Sequence, residues 1–126
     1  MTKQIIQTEN APAPIGPYSQ AVKTGNLLFV SGQVAFIPGT NELANASISE
    51  EAHQVLKNIK AILVEANMNF TNIVKTTIFL SDMSLFSEVN DIYATYFDGT
   101  FPARETIAVK GLPKNANIEI SVTAAD

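Results

Sequence analysis

The chain has no cysteine, a single histidine, and only 8 lysine and arginine residues against 12 aspartate and glutamate residues. Each shortage removes a class of chemistry. Without cysteine there is no disulfide, no thiolate catalysis and no cysteine-based zinc site. One histidine cannot build a histidine-rich metal centre, and no metal constellation is expected. No phosphate loop, dinucleotide-binding glycine fingerprint or Ser-His-Asp set is present either. The net charge is −4 with no basic block. That argues against nucleic acid as the main partner, because phosphate binding needs clustered lysine and arginine. No apolar run approaches the roughly 18 residues of a membrane span. The opening MTKQIIQTEN is too polar for a signal peptide. The expectation is a soluble, cytoplasmic protein.

What is present is a core. At 126 residues and 46% hydrophobic composition the chain fits one domain, residues 1–126, with no repeat and no linker. Ile5 and Ile6 predict a short first strand. Pro12, Pro14 and Pro17 then keep the chain out of helix and regular sheet. Residues 19–23 and 27–31 flank Thr24-Gly25-Asn26 and predict a hairpin. Ser47-Ile48-Ser49-Glu50 has capping-box spacing. Ala52, Val55, Leu56, Ile59, Ile62, Leu63 and Ala66 follow as one helical stripe. Residues 73–80 are β-branched and aromatic, and predict a strand. Ser81 or Asp82 can cap a second helix, whose stripe runs from Leu85 to Phe97 and stops at Asp98-Gly99-Thr100. Residues 103–109 and 118–124 predict two closing strands. The order gives an α+β domain with two helices packed on one sheet face.

That architecture leaves one face of the sheet uncovered. The run Leu27-Leu28-Phe29-Val30 is apolar on both sides, so both sides should be covered. Either a homo-oligomer buries the second face, or the N-terminal segment folds over it.

Two charged residues stand out. Arg104, at the start of a strand and sharing its face with the small Thr106 and Ala108, is either a bidentate clamp for a carboxylate or a surface arginine. Glu119 sits between Ile118 and Ile120, where glutamate is disfavoured. It is either a general base that positions water or a solvated outward residue. The two could share one site or form a plain salt bridge. His53 reads as solvated on the polar face of the first helix, and Lys75 as a strand-edge lysine with a solvated head. These residues define a candidate site without defining a reaction.

Several stretches together resemble the RidA family, also called YjgF, of imine and enamine deaminases. They are Ile15-Gly16-Pro17-Tyr18-Ser19-Gln20-Ala21, Leu28-Phe29-Val30-Ser31-Gly32-Gln33, Val74-Lys75-Thr76-Thr77-Ile78-Phe79-Leu80, Val89-Asn90, Phe101-Pro102-Ala103-Arg104, Leu112-Pro113-Lys114 and Ile118-Glu119-Ile120. They run in order over nearly the whole chain. The resemblance implies a chorismate-mutase-like single domain with a mixed sheet. It implies a homotrimer with a site in each cleft between subunits, and a cofactor-free 2-iminobutanoate/2-iminopropanoate deaminase. Its substrates would be small 2-imino and 2-enamino acids such as 2-aminoacrylate, hydrolysed to a 2-keto acid and ammonia. It further implies that Arg104 holds the substrate carboxylate with help from the Gly32 N–H, and that Glu119 activates or positions water. Tyr18, Ser31 and Asn90 would line the pocket. Thr106 stands where many members carry cysteine, and Glu105 where a small residue is common. Adjacent strand residues point oppositely, so Glu105 should face away. The competing class is a small-carboxylate-binding regulatory protein of the same fold without turnover.

Overall fold

Alternation along the strands decides which side of the sheet the helices cover. A computed structural model describes residues 2–126. Its strands are β1 (Lys3–Ile6), β2 (Ala21–Thr24), β3 (Leu27–Gln33), β4 (Ile73–Leu80), β5 (Ala103–Ala108) and β6 (Ile118–Ala125). Its helices are α1 (Ile48–Glu65) and α2 (Phe86–Ala94). The strands form one mixed sheet in the order β1-β2-β3-β6-β4-β5, with only β4 and β5 parallel. Leu28, Val30, Ile78, Leu80, Ile118, Ile120, Val122 and Ala124 point to one face and are buried under the α1 stripe of Val55, Leu56, Ile59, Ile62 and Leu63. The expected two-helix layer on one face is what forms.

Among the described residues, no helix covers the opposite face. One cross-strand row runs Ile5, Val22, Phe29, Thr123, Lys75 and Ala103; the next carries Ser121, Thr77 and Glu105; a third carries Glu119, Phe79 and Ile107. Phe29 is 47% exposed and Ile107 46%. The proline-rich N-terminal segment reaches only the Glu119 end of this face and leaves Phe29 and Ile107 exposed, so among the described residues it does not cover the face. Glu105 lies here, on the face opposite Arg104 as alternation requires, and pairs with Lys75 at 3.1 Å.

Local chemistry sets the element ends. The β2–β3 hairpin turns in two residues, with positive φ only at Gly25 (+58°), the II′ pattern that wants glycine first. Ser47 caps α1 through the Glu50 N–H, as the spacing predicts. The Glu50 carboxylate accepts from Ala46 N–H, one residue further out than the ideal reciprocal bond. Asp82 caps a single 3₁₀ turn, Met83–Leu85, that leads into α2. The second helix ends at Ala94, short of the predicted Phe97, and the chain continues in tighter i→i−3 bonds from the N–H groups of Thr95, Tyr96 and Phe97 to the carbonyls of Ile92, Tyr93 and Ala94. Tyr96 and Phe97 instead pack as aromatics against Phe70.

Two sequence readings are corrected. Lys75 is not on an edge strand, since β4 lies between β6 and β5. His53 is half-buried, and its Nδ1 is 2.7 Å from the Tyr96 hydroxyl between the helices.

Candidate active site

Arg104 enters β5 opposite Thr76 of β4, on the helix-covered face. Its guanidinium lies 5.1 Å from the ring centroid of Tyr93 and 5.8 Å from that of Phe86. Those distances suit cation–π contact. Tyr93 cannot swing away, because its hydroxyl donates to the buried Thr76 Oγ1 at 2.9 Å. Burial pushes the Tyr93 phenol up, against the opposing pull of the Thr76 bond and the Arg104 charge. No acidic side chain among the described residues pairs with Arg104. A cavity of about 430 Å³ opens beside it, lined also by Asn90, Ala94, Phe101 and Pro102. A planar cation on an aromatic platform, facing open space, is equipped to receive a carboxylate.

Thr106 shares this face of β5 but does not line that cavity. Its Oγ1 is buried without a hydrogen-bond partner.

Glu119 projects from the other face. A second cavity of about 470 Å³ gathers Glu119, Tyr18, Ser31, Gly32, Gln20 and Pro113 among its walls. A bulge in β3 shapes it: Val30 pairs with Val122 and Gln33 with Ile120, so Ser31 and Gly32 together oppose Ser121. Gly32 is required by contact. A Cβ there would come within 2.5 Å of Glu119 Oε2. Partial burial raises the Glu119 carboxyl above its usual range. The Ser31 hydroxyl donates to Ser19 O at 2.6 Å, so toward the cavity it can only accept. Tyr18 is half-exposed, with its hydroxyl weakly accepting from Ile15 N–H at 3.4 Å.

The seven residues singled out from sequence thus fall into two groups. Arg104, Asn90 and Thr106 lie on the helix side, and Tyr18, Ser31, Gly32 and Glu119 on the open side. From sheet spacing, the backbones of Arg104 and Glu119 stand about 14 Å apart, with side chains on opposite faces. Within one chain they form neither a common site nor the salt bridge left open by the sequence.

Sequence reasoning missed two supporting residues. Gln20 is 2% exposed; its amide accepts from Thr8 N–H and donates to the carbonyls of Thr8, Ala11 and Pro12, holding the proline-rich segment beside the Glu119 cavity. Tyr93 looked like an ordinary member of an apolar stripe. Its period gave the burial but not the platform under Arg104.

This sheet, with an arginine pocket on one face and a carboxylate pocket on the other, defines a small α+β protein with two separate pockets. The chain belongs to the family described as Endoribonuclease L-PSP, whose model matches residues 8–126 and which includes the YjgF, RutC and RidA proteins. It is 48% identical over 122 residues to a RutC family protein of Pyrococcus horikoshii, covering 97% of both chains. It is 46% identical over 122 residues to the 2-iminobutanoate/2-iminopropanoate deaminase of Mus musculus, covering 97% of this chain and 90% of that one. A crystal structure of a Rid-family protein from Yersinia pestis superposes with a TM-score of 0.95 at 49% identity, over 99% of this chain and 100% of the other.

Proposed function

We propose that the protein is a deaminase that hydrolyses reactive 2-imino and 2-enamino acids to 2-keto acids and ammonia. The observation that carries this reading is the pair of unsatisfied half-sites. Arg104 is a cation with no acidic partner beside open space, and Glu119 is a half-buried carboxylate beside another cavity. The mouse relative's name supplies the substrate class.

Because the two groups lie on opposite faces, a complete site takes Arg104 from one subunit and Glu119 from a second. A homotrimer in the cytoplasm is the assembly and setting we propose. No described helix is long and apolar enough to cross a membrane. The guanidinium of Arg104 holds the substrate carboxylate, assisted by the Gly32 N–H of the neighbouring copy. Glu119 orients a water against the imine carbon and takes its proton as the C–O bond forms. The C=N electrons move to nitrogen, which receives that proton and becomes the amine of a carbinolamine; Glu119 then takes the hydroxyl proton and delivers it to the amine, the C–N bond breaks, and ammonia leaves as the carbonyl forms. An imine carbon is already electrophilic, so orientation and one proton acceptor meet the chemical demand. Asn90, Tyr18 and Ser31 line the cleft.

The family description carries a nuclease label, but a net charge of −4 with no basic block in the sequence speaks against RNA as the main target. The test is ammonia release from an imino acid generated in the assay by an amino-acid oxidase. The deaminase accelerates it well above the spontaneous rate. Tight binding of pyruvate without acceleration would identify a carboxylate-sensing protein instead.

A further inference from the structure

Glu51 is 0% exposed and belongs to neither half-site. It lies in the first turns of α1, where a glutamate ordinarily faces water and complements the helix dipole. Here it turns inward. Oε2 accepts from the backbone N–H of Asn117 at 2.7 Å and of Ile118 at 3.1 Å, and Oε1 accepts from Asn117 Nδ2 at 3.1 Å. All three partners are donors, the pattern that an acceptor-only carboxylate satisfies. Burying such a group is costly unless its bonds are made.

The place it grips matters. Asn117 and Ile118 are the two residues before Glu119. The approach to them is strained, because Lys114 and Asn115 both have left-handed φ, +57° and +55°. Such residues persist only where the surroundings hold them. Pro113, at the start of this turn, is a wall of the Glu119 cavity. Asn117 is held from a second side, where its carbonyl accepts from Ser81 N–H at 2.9 Å and its Oδ1 from the Ser81 hydroxyl at 2.8 Å. Glu51 and Ser81 thus pin the junction between a strained turn and the strand that carries the proposed water-positioning group.

We infer that Glu51 is a positioning residue: its buried side chain clamps the start of β6 and so fixes Glu119 and the Pro113 wall in the cavity. This rests on reading Glu119 as the group that positions water. A reacting carboxylate misplaced by about 1 Å costs roughly 100-fold in rate.

Two variants separate clamp from charge. Glu51→Gln keeps a carbonyl oxygen for both backbone N–H groups and loses the charge. Glu51→Leu keeps the volume and loses every acceptor. Both are checked for folding and assembly by circular dichroism and sedimentation. On imino acids, Glu51→Leu loses roughly 10- to 100-fold in kcat with KM nearly unchanged, since Arg104 still binds the carboxylate, whereas Glu51→Gln is close to wild type. The Glu119 carboxyl is also titrated by carbon NMR, which reads position without turnover. Its pKa moves toward the ordinary carboxylate value in Glu51→Leu and stays in Glu51→Gln. If the wild type lacks deaminase activity, the reading of Glu119 fails while the titration still judges the clamp. An unshifted Glu119 in the leucine variant, or equal shifts in both variants, would overturn the inference, as would an unchanged kcat in an active enzyme.

Discussion

Arg104 and Glu119 make opposite demands on their surroundings, and each environment answers in kind. The arginine needs a fixed plane and an empty front, which Tyr93, Phe86 and the adjoining cavity supply. Arg104→Ala should lower kcat/KM on imino acids by roughly 10- to 150-fold while leaving the fold intact, because a charge-assisted pair to carboxylate contributes about 1.5–3 kcal/mol. Arg104→Lys should restore little, having lost the planar fork. Steady-state kinetics on both variants checks this. Glu119 must be ionised to accept a proton, and burial raises its pKa above the ordinary 4.5. The acid limb of kcat/KM should therefore fall above pH 4.5 in the folded enzyme, and Glu119→Gln should lack it along with most of the rate. The same shift has a stability consequence of definite sign. Folded Glu119 holds its proton more tightly than the unfolded chain does, so its contribution is fully present below the unfolded pKa and is lost as pH rises through the folded one. Glu119→Gln should accordingly gain in melting temperature relative to wild type above that window and not below it.

The β3 bulge shows how an element carries a site. Ser31 and Gly32 occupy two positions against one on β6, and the missing Cβ at Gly32 is where Glu119 rests. Gly32→Ala should fold, because what it strikes is the mobile end of a side chain. It should lose more than about 10-fold in kcat because that end is the carboxylate proposed to position water. A crystal structure of the variant with Glu119 in its original rotamer, or an unchanged kcat, would refute this. Much of the element layout was legible in the sequence. The period-2 pattern of β6 assigned Glu119 to the face away from the helices, and the α1 stripe named the core. Three features were not legible. The turn of Glu51 into the interior depends on where β6 begins, 67 residues later. The His53–Tyr96 contact depends on how the two helices meet. The interior position of β4 depends on strand order, which a local pattern does not contain. Those are all properties of tertiary contact, and side-chain type alone leaves them open.

At the scale of the whole molecule, the uncovered face and the edge strand β5 call for a partner. Phe29, Ile107 and Ile5 are each close to half-exposed on that face. Burying them removes apolar area from water at about 25 cal/mol per Å². If assembly completes the site, thermal stability should rise with protein concentration and deaminase activity should fall on dilution below the dissociation range. Light scattering across the dilution series, run beside the assay, checks both, and a fully active monomer would contradict them.

The claim that the site is shared between subunits is tested most directly by mixing. Arg104→Ala and Glu119→Gln chains each lose most of their activity alone in this account. Refolded together, they form some clefts that take wild-type Arg104 from one chain and wild-type Glu119 from its neighbour. Random one-to-one assembly of a threefold ring should recover about a quarter of wild-type ammonia release. No recovery in verified mixed assemblies would contradict a site built from two copies.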